Sequence, residues 1–387
     1  MSQQVQMYDP RRHLEENKTV YDENIKKVLS HGRFINGPEV KEIETALSKY
    51  VDVKHGVGVS SGTDALLIAL MALGVGPGDE VVTVPFSWIS TVEVICMLRA
   101  TPVFCDIDRD TFNMDTRQLA DKINERTKVI MPVSIFGQPY DVVGTRKVVK
   151  EAEERLGRKI YVIEDAAQSF GSIHEEGHSC SVSDIGCTSF FPSKPLGCFG
   201  DGGMCFTNDD ELARRMRAIR NHGCERRYHY ERVGLNGRLD TLQAAILLSK
   251  VPTMESQFEK RAENAHFYNE AFKSLPVETP VLDSGTIQHV YAQYTIQLED
   301  EKTRDALLDH LKQNGVGAAV FYPVQLHLVP ALTQEYLPGS LPVAESMGKR
   351  VLSLPCYPEL TEEERAKVAF TVALFFEGYS GMIQKNT

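Results

Sequence analysis

Three short segments carry side chains whose types and spacing could do chemistry. Lys194 stands just past an apolar run, in Ser189-Phe190-Phe191-Pro192-Ser193-Lys194-Pro195-Leu196-Gly197. A lysine held among apolar and small residues has a lowered pKa and can form a Schiff base; the alternative is a surface lysine in a hairpin loop. Asp165 closes an apolar run in Ile163-Glu164-Asp165-Ala166-Ala167-Gln168-Ser169. A carboxylate at a buried strand end needs a partner, and the other reading is a helix N-cap. Ser60-Ser61-Gly62-Thr63-Asp64-Ala65-Leu66 passes from a strand through small residues into an apolar-periodic helix. The unpaired N–H groups and dipole of such a helix start suit a phosphate, with Gly62 allowing close approach and the Thr63 hydroxyl adding a bond. An ordinary Ser or Thr cap would look the same.

The elements that must position these groups alternate. Apolar runs at Val57–Ser60, Val81–Val84, Val103–Asp106, Val129–Ser134, Ile160–Ile163, Cys187–Phe191 and Met204–Thr207 read as about seven strands. Helical patterns lie between several of them, notably Thr63–Leu73 and Arg146–Glu154. This alternation predicts an α/β domain with an open, mostly parallel sheet flanked by helices. Ligands of such sheets bind beyond the carboxyl ends of the strands, where the three segments fall. Val251–Glu270 reads as a long polar helix. It is followed by a strand at Val290–Leu298, a helix at Arg304–Asn314, a strand at Ala318–Tyr322 and a last helix at Thr361–Phe376, with Thr361 and Glu364 as its capping box. The expected division is a large domain, 1–250, and a smaller α+β domain, 251–387.

Taken together, the motifs resemble the DegT/DnrJ/StrS family of fold-type-I, pyridoxal-phosphate-dependent nucleotide-sugar aminotransferases, along nearly the whole chain from Phe34-Ile35-Asn36-Gly37-Pro38-Glu39 to Phe321-Tyr322-Pro323. The resemblance implies that Lys194 holds the cofactor covalently, that Asp165 pairs with its pyridine nitrogen and that Gln168 reaches the ring oxygen. It assigns Gly62, Thr63 and Ser189 to the phosphate, with Asp64 beside them. Trp88, in Val84-Pro85-Phe86-Ser87-Trp88-Ile89-Ser90-Thr91, falls on the position of the ring-stacking aromatic; a core aromatic is the plainer reading. Gly234-Leu235-Asn236-Gly237-Arg238-Leu239-Asp240 resembles the loop that crosses to a neighbouring subunit, so Asn236 is expected on the partner's cofactor phosphate in a homodimer with shared sites. Arg226, Arg227, Tyr228, His229 and Tyr230 would face substrate, or form a solvated basic patch.

The resemblance further implies an amino donor, expected to be glutamate, and a keto-sugar acceptor. The stretches Pro85–Ile95 and His222–Leu248 look most like enzymes aminating C3 of a UDP-linked 3-keto-hexuronic acid. Rivals act on dTDP- or GDP-linked keto-deoxysugars. Arg227 or Arg238 could pair with a uronate carboxylate; Tyr322 and His327 are candidate sugar or nucleotide contacts. Pro195 stands where the family often has Asn. A cysteine desulfurase would need a reactive loop cysteine, and none is evident. A catalytically silent paralogue would be expected to lose Lys194 or Asp165, and both are present.

Composition bounds the rest. A formal net charge of −11 argues against nucleic acid or an anionic membrane as partner. No apolar run approaches the roughly 20 residues of a membrane span. Met1–Pro10 lacks the layout of a signal peptide, and the eight cysteines include no C-x-x-C pair, so a cytoplasmic protein is expected. Asn17-Lys18-Thr19 is then a chance sequon. His174-Glu175-Glu176-Gly177-His178 matches the zinc-protease pattern but reads as a loop containing Gly177, so no metal is expected. The glycines at 56, 58, 74, 76 and 78 make weak dinucleotide motifs.

Overall fold

The computed structural model describes residues 4–226, 228–333 and 335–383. The seven apolar runs become seven strands of one sheet: β1 (His55–Val59), β2 (Glu80–Thr83), β3 (Thr101–Phe104), β4 (Thr127–Ile130), β5 (Tyr161–Asp165), β6 (Ile185–Ser189) and β7 (Gly203–Thr207). Their order is β1-β7-β6-β5-β4-β2-β3. Only β7 runs against its neighbours; the other pairings are parallel. The strands are nearly all buried, as expected where helices cover both faces. Because β7 lies antiparallel to both β1 and β6, the carboxyl ends of β1, β5 and β6 share one edge. The segments carrying Gly62, Asp165 and Lys194 leave from that edge.

Among the helices that cover the sheet are α1 (Pro38–Tyr50), α2 (Gly62–Ala72), α3 (Ser90–Met97), α4 (Val142–Leu156), α5 (Asp210–Ile219), α6 (Thr241–Lys250) and α7 (Met254–Phe272). Helix α2 is buried on most of its faces, with Ile68, Ala69 and Leu70 fully enclosed against the sheet and α5. Ile68 and Leu70 each contribute about 1.5–3 kcal/mol relative to exposure, which helps fix the start of α2. The helix expected over Val251–Glu270 begins later. Helix α6 ends at Lys250, a 3-10 turn spans Val251–Thr253, and α7 follows. Pro252 explains the break, since it lacks the N–H that would continue the ladder.

Beyond α7, β8 (Tyr294–Gln297) and β9 (Val351–Leu354) pair antiparallel and pack with α8 (Glu301–Gln313) and α9 (Glu362–Ile383). Val5 joins this core through a bridge to Val316. The capping box of α9 forms as expected. The Thr361 amide donates to Glu364 Oε2 (3.1 Å), and the Glu364 amide donates to Thr361 Oγ1 (3.2 Å). The strand expected at Ala318–Tyr322 does not form. Ala319 makes a single bridge to Ser353, and the chain then turns so that Phe321 and Tyr322 pack near Phe86. Pro323, without an N–H, cannot extend the pairing. The His174–His178 segment is a two-stranded hairpin in which Ile173 pairs with His178 and His174 with Gly177. Paired residues share a face and neighbours alternate, so the two histidines point to opposite faces.

Candidate active site

At the sheet's carboxyl edge lies a cavity of about 470 Å³ lined by Gly62, Thr63, Trp88, Asp165, Gln168, Ser189, Lys194 and Tyr322, among others. At one end is the start of α2, where Ser61 Oγ accepts from the Asp64 amide (3.0 Å). A Cβ on Gly62 would come within 2.7 Å of Ser189 Cβ, so only glycine lets the helix start meet the end of β6. Thr63 Oγ1 and Ser90 Oγ share a hydrogen bond (2.7 Å), and Ser90 in turn donates to Glu93 Oε1 (3.0 Å). Asp64 accepts from Ser60 Oγ. Ser189 Oγ accepts from the Phe191 amide (3.2 Å). This end offers hydroxyls and helix N–H groups to an anion. The one cation among the described residues lining the cavity is Lys194.

Asp165, on the same cavity, is almost wholly buried. Its Oδ2 accepts from Thr91 Oγ1 (2.7 Å) and its Oδ1 from the Ala167 amide (3.2 Å). Thr91 is in turn bonded to Ser87 Oγ (2.8 Å), so a chain of hydroxyls orients the carboxylate. Burial raises the Asp165 pKa, against the Thr91 and Ala167 bonds and the nearby charge of Lys194, which lower it. A turn, not a helix, follows Asp165, which removes the N-cap alternative. Such a carboxylate is set up to receive a cationic ring N–H. Behind it, buried Glu164 accepts from Ser134 Oγ (2.6 Å), Ser179 Oγ (2.5 Å) and the Cys180 amide (2.7 Å).

Gln168 Oε1 accepts from the Phe136 amide (2.7 Å), and its Nε2 donates to Tyr322 Oη (2.9 Å). The amide is thereby held across the cavity floor. Trp88 is 61% exposed with its ring centroid 6.4 Å from that of Tyr322; it walls the cavity rather than filling the core. Lys194 is half-buried in the loop after β6. Burial pulls its pKa down to about 8, and the Asp165 charge opposes that fall. An amine poised this way is partly neutral near pH 8 and nucleophilic.

Asn236 and Arg238 line a second cavity, about 530 Å³, that shares Ser61 and Asp201 with the first. Asn236 is exposed; Arg238 Nη1 donates to Asn221 Oδ1 (2.7 Å) while its buried Nε has no partner. Arg226, Tyr228, His229 and Tyr230 are exposed and line neither cavity. Arg227 lies outside the described residues. The structure does not bring His327 to the cavity. Its side chain is enclosed, with Nε2 3.1 Å from Glu345 Oε1. Thr91 and Ser87, which set the Asp165 carboxylate, escaped the sequence reading of roles. The only signal was their place in the stretch around Trp88.

A profile of the DegT/DnrJ/EryC1/StrS aminotransferase family matches residues 15–373. The chain is 46% identical, over 89% of its length and 92% of the relative's, to a Pseudomonas aeruginosa protein named UDP-2-acetamido-2-deoxy-3-oxo-D-glucuronate aminotransferase. It is 39% identical, over 97% of its length and 98% of the relative's, to an Acidithiobacillus ferrooxidans protein named UDP-N-acetyl-3-dehydro-alpha-D-glucosamine 3-aminotransferase. Its fold superimposes on the crystal structure of S. venezuelae DesV with a TM-score of 0.91, at 36% identity and covering 97% of this chain and 99% of that one. The chain therefore belongs to the DegT/DnrJ/EryC1/StrS aminotransferase family.

Proposed function

We propose that this aminotransferase moves the amino group of an amino acid, glutamate, onto C3 of a UDP-linked 2-acetamido-2-deoxy-3-keto-glucuronic acid in the cytoplasm. Its cofactor is pyridoxal phosphate, and the cavity suits that group on its own geometry. A hydroxyl-rich helix start, which a Gly62 side chain would fill, lines one cavity together with a buried carboxylate and a desolvated lysine. Bound there, the cofactor supplies an electron sink for the carbon that loses its proton. In this reading Lys194 holds the cofactor covalently and, once freed, takes and returns a proton at Nζ. Asp165 keeps the ring nitrogen protonated, Gln168 bonds the ring oxygen, and Trp88 covers the ring. Gly62, Thr63 and Ser189, with Asp64 beside them, receive the phosphate.

Among the described residues the phosphate end is lined by no cation, which supports a homodimer in which Asn236 and Arg238 of a second copy complete the site. Arg238 is the reader assigned to the uronate carboxylate or to that phosphate; Arg227 is the alternative reader. Tyr322, bonded to Gln168, is assigned to the sugar; His327, enclosed against Glu345, is given no contact with it.

The observation that carries the reading is the joint presence of Lys194 and Asp165 in one cavity of a chain 46% identical to a 3-oxo-glucuronate aminotransferase. Both residues also weigh against a catalytically silent regulator. The test compares the UDP-3-keto-uronic acid with its neutral 6-hydroxy counterpart and a dTDP-keto-deoxysugar, with glutamate as donor. Equal use of the neutral sugar sinks the uronate assignment. Failure with every keto sugar sinks the proposal.

A further inference from the structure

The loop that carries Lys194 is a closed turn. A Cβ on Gly197 would fall 2.6 Å from the Pro192 carbonyl oxygen and 2.7 Å from that of Phe191, so the two limbs of the turn touch at its base and Lys194 lies between them. Within the turn, the Lys194 amide donates to Phe191 O (2.9 Å) and the Cys198 amide to Phe190 O (2.8 Å). Two carbonyls at the base, those of Pro192 and Gly197, are held from outside the turn. Tyr8 Oη donates to Pro192 O (2.7 Å), reaching from a point 184 residues away. Lys250 Nζ, from the last residue of α6, donates to Gly197 O (2.5 Å).

The Lys250 ammonium makes no ion pair among those of the described residues; it lies 5.3 Å from the Phe199 ring centroid. The charged or titratable groups acting on it are Cys198, Glu359 and Arg261, and burial lowers its pKa to about 8. A small cavity of about 30 Å³ lies beside the clamp, lined by Tyr8, His13, Lys250, Arg261 and Glu359 together with Lys194 and Gly197 of the turn. Lys194 thus touches two spaces, the large cavity in front and this one behind. A turn that borders space on both sides needs its backbone fixed to keep its side chain in the larger one.

We infer that Lys250 and Tyr8 are positioning residues which grip the two limbs of the turn and hold the Lys194 amine in the front cavity, facing Asp165. The inference rests on Lys194 being the cofactor-bearing lysine of the proposed function. A lysine at position 250 suits the task because a charge-assisted bond to a carbonyl is stronger than a neutral one, and a displacement of about 1 Å at a reacting group can cost about 10²-fold in rate.

The test uses Lys250→Met, Lys250→Arg and Tyr8→Phe in the full chain. On cofactor-free protein, the pH midpoint of Lys194 acetylation is read by mass spectrometry; on loaded protein, kcat and KM for amino transfer. The inference expects Lys250→Met to move the midpoint up from about 8 towards 10.5, as the amine reaches water. It expects kcat to fall about 10- to 100-fold with KM unchanged. Lys250→Arg, which can still donate to Gly197 O, should recover most of both, and Tyr8→Phe should give a smaller change in the same direction. Unchanged midpoint and kcat in a folded Lys250→Met overturn the clamp, as does an arginine no better than methionine. If Lys250→Met does not fold, Tyr8→Phe decides by the same readouts. The midpoint needs no substrate, and borohydride trapping of the wild type reports which lysine carries the cofactor. Loss of the clamp is therefore distinguishable from failure of the functional assignment.

Discussion

Removing the Lys194 charge should stabilise the cofactor-free protein, and the size of the effect follows from burial. Desolvation holds the Lys194 pKa near 8 where an ordinary lysine has 10.5. The folded chain therefore binds fewer protons than the unfolded one between those two values, and stability rises with pH across that window. Below pH 8 the cost of the buried ammonium is fully present. At about 1.4 kcal/mol per pKa unit it amounts to about 3 kcal/mol, reduced by whatever water reaches a half-buried group. Lys194→Met keeps the volume and deletes the charge. At pH 7 the apo-variant should resist urea better than the apo-wild type by about 1–3 kcal/mol, and the gap should close by pH 10.5. The same pKa is measurable directly by competitive acetylation. At pH 8 about half of Lys194 is neutral against about 0.3% of an ordinary lysine. Because labelling rate also depends on access, the midpoint of the pH curve is the quantity to read. Asp165 opposes the fall in the Lys194 pKa, so Asp165→Asn should move that midpoint below 8. A wild-type midpoint near 10.5, or no stability gain in Lys194→Met at pH 7, would refute the reasoning.

Asp165→Asn in the loaded enzyme should retain the cofactor yet lose about 10²–10³ in kcat, the scale of a lost electrostatic partner; near-wild-type turnover would remove Asp165 from the mechanism. Thr91→Val deletes the 2.7 Å bond to the Asp165 carboxylate. Since that bond lowers the Asp165 pKa, the variant should raise it further, seen as a shifted pH dependence of the bound cofactor's spectrum. Gly62→Ala puts a Cβ 2.7 Å from Ser189 Cβ and should weaken cofactor binding by about 1–3 kcal/mol through overpacking, measured by reconstitution of the apo-protein. Lys194→Ala chains mixed with Asn236→Asp chains should regain activity if sites are shared between subunits; no recovery despite subunit exchange would count against sharing.

The sheet was legible because its strands are buried on both faces and read as short apolar runs: all seven candidate runs became strands, each within two residues at its start. The three chemical segments were legible for a related reason. Ser60–Asp64, Asp165 and Lys194 each follow such a run, and three strands pointing the same way bring their ends together without any further information. What was not legible depends on contacts between segments far apart in sequence. Thr91 carries no mark of its role, because only the folded chain, with α3 packed on α2, β2 and β3, brings its hydroxyl to Asp165, 74 residues on. The segment 318–322 has strand-like residues, but Phe321 and Tyr322 pack near Phe86 instead of extending a ladder. His327 has the chemistry of a ligand-contacting residue and is enclosed against Glu345, a pairing set by a helix 15 residues further on.

A protein of net charge −11 that binds a phosphorylated cofactor and a nucleotide diphosphate must gather cations locally. Among the described residues of one chain the cavity is lined by a single cation, Lys194, whose charge acts on Asp165. The α2 start and its hydroxyls supply partial charge only, each equivalent to a fraction of a unit. Arg238 lines the adjoining space, with one nitrogen bonded to Asn221 and another buried without a partner. A second copy presenting that loop would add positive charge where the phosphate end opens. Arg238→Gln should therefore weaken cofactor binding and dimerisation together, each more severely at low ionic strength, where the wild type's charge pairing is least screened. If Arg238→Gln left both intact and changed only the preference between acidic and neutral sugars, Arg238 would be a substrate reader alone, and the phosphate would have to be held by hydroxyls and helix amides without a partner's cation.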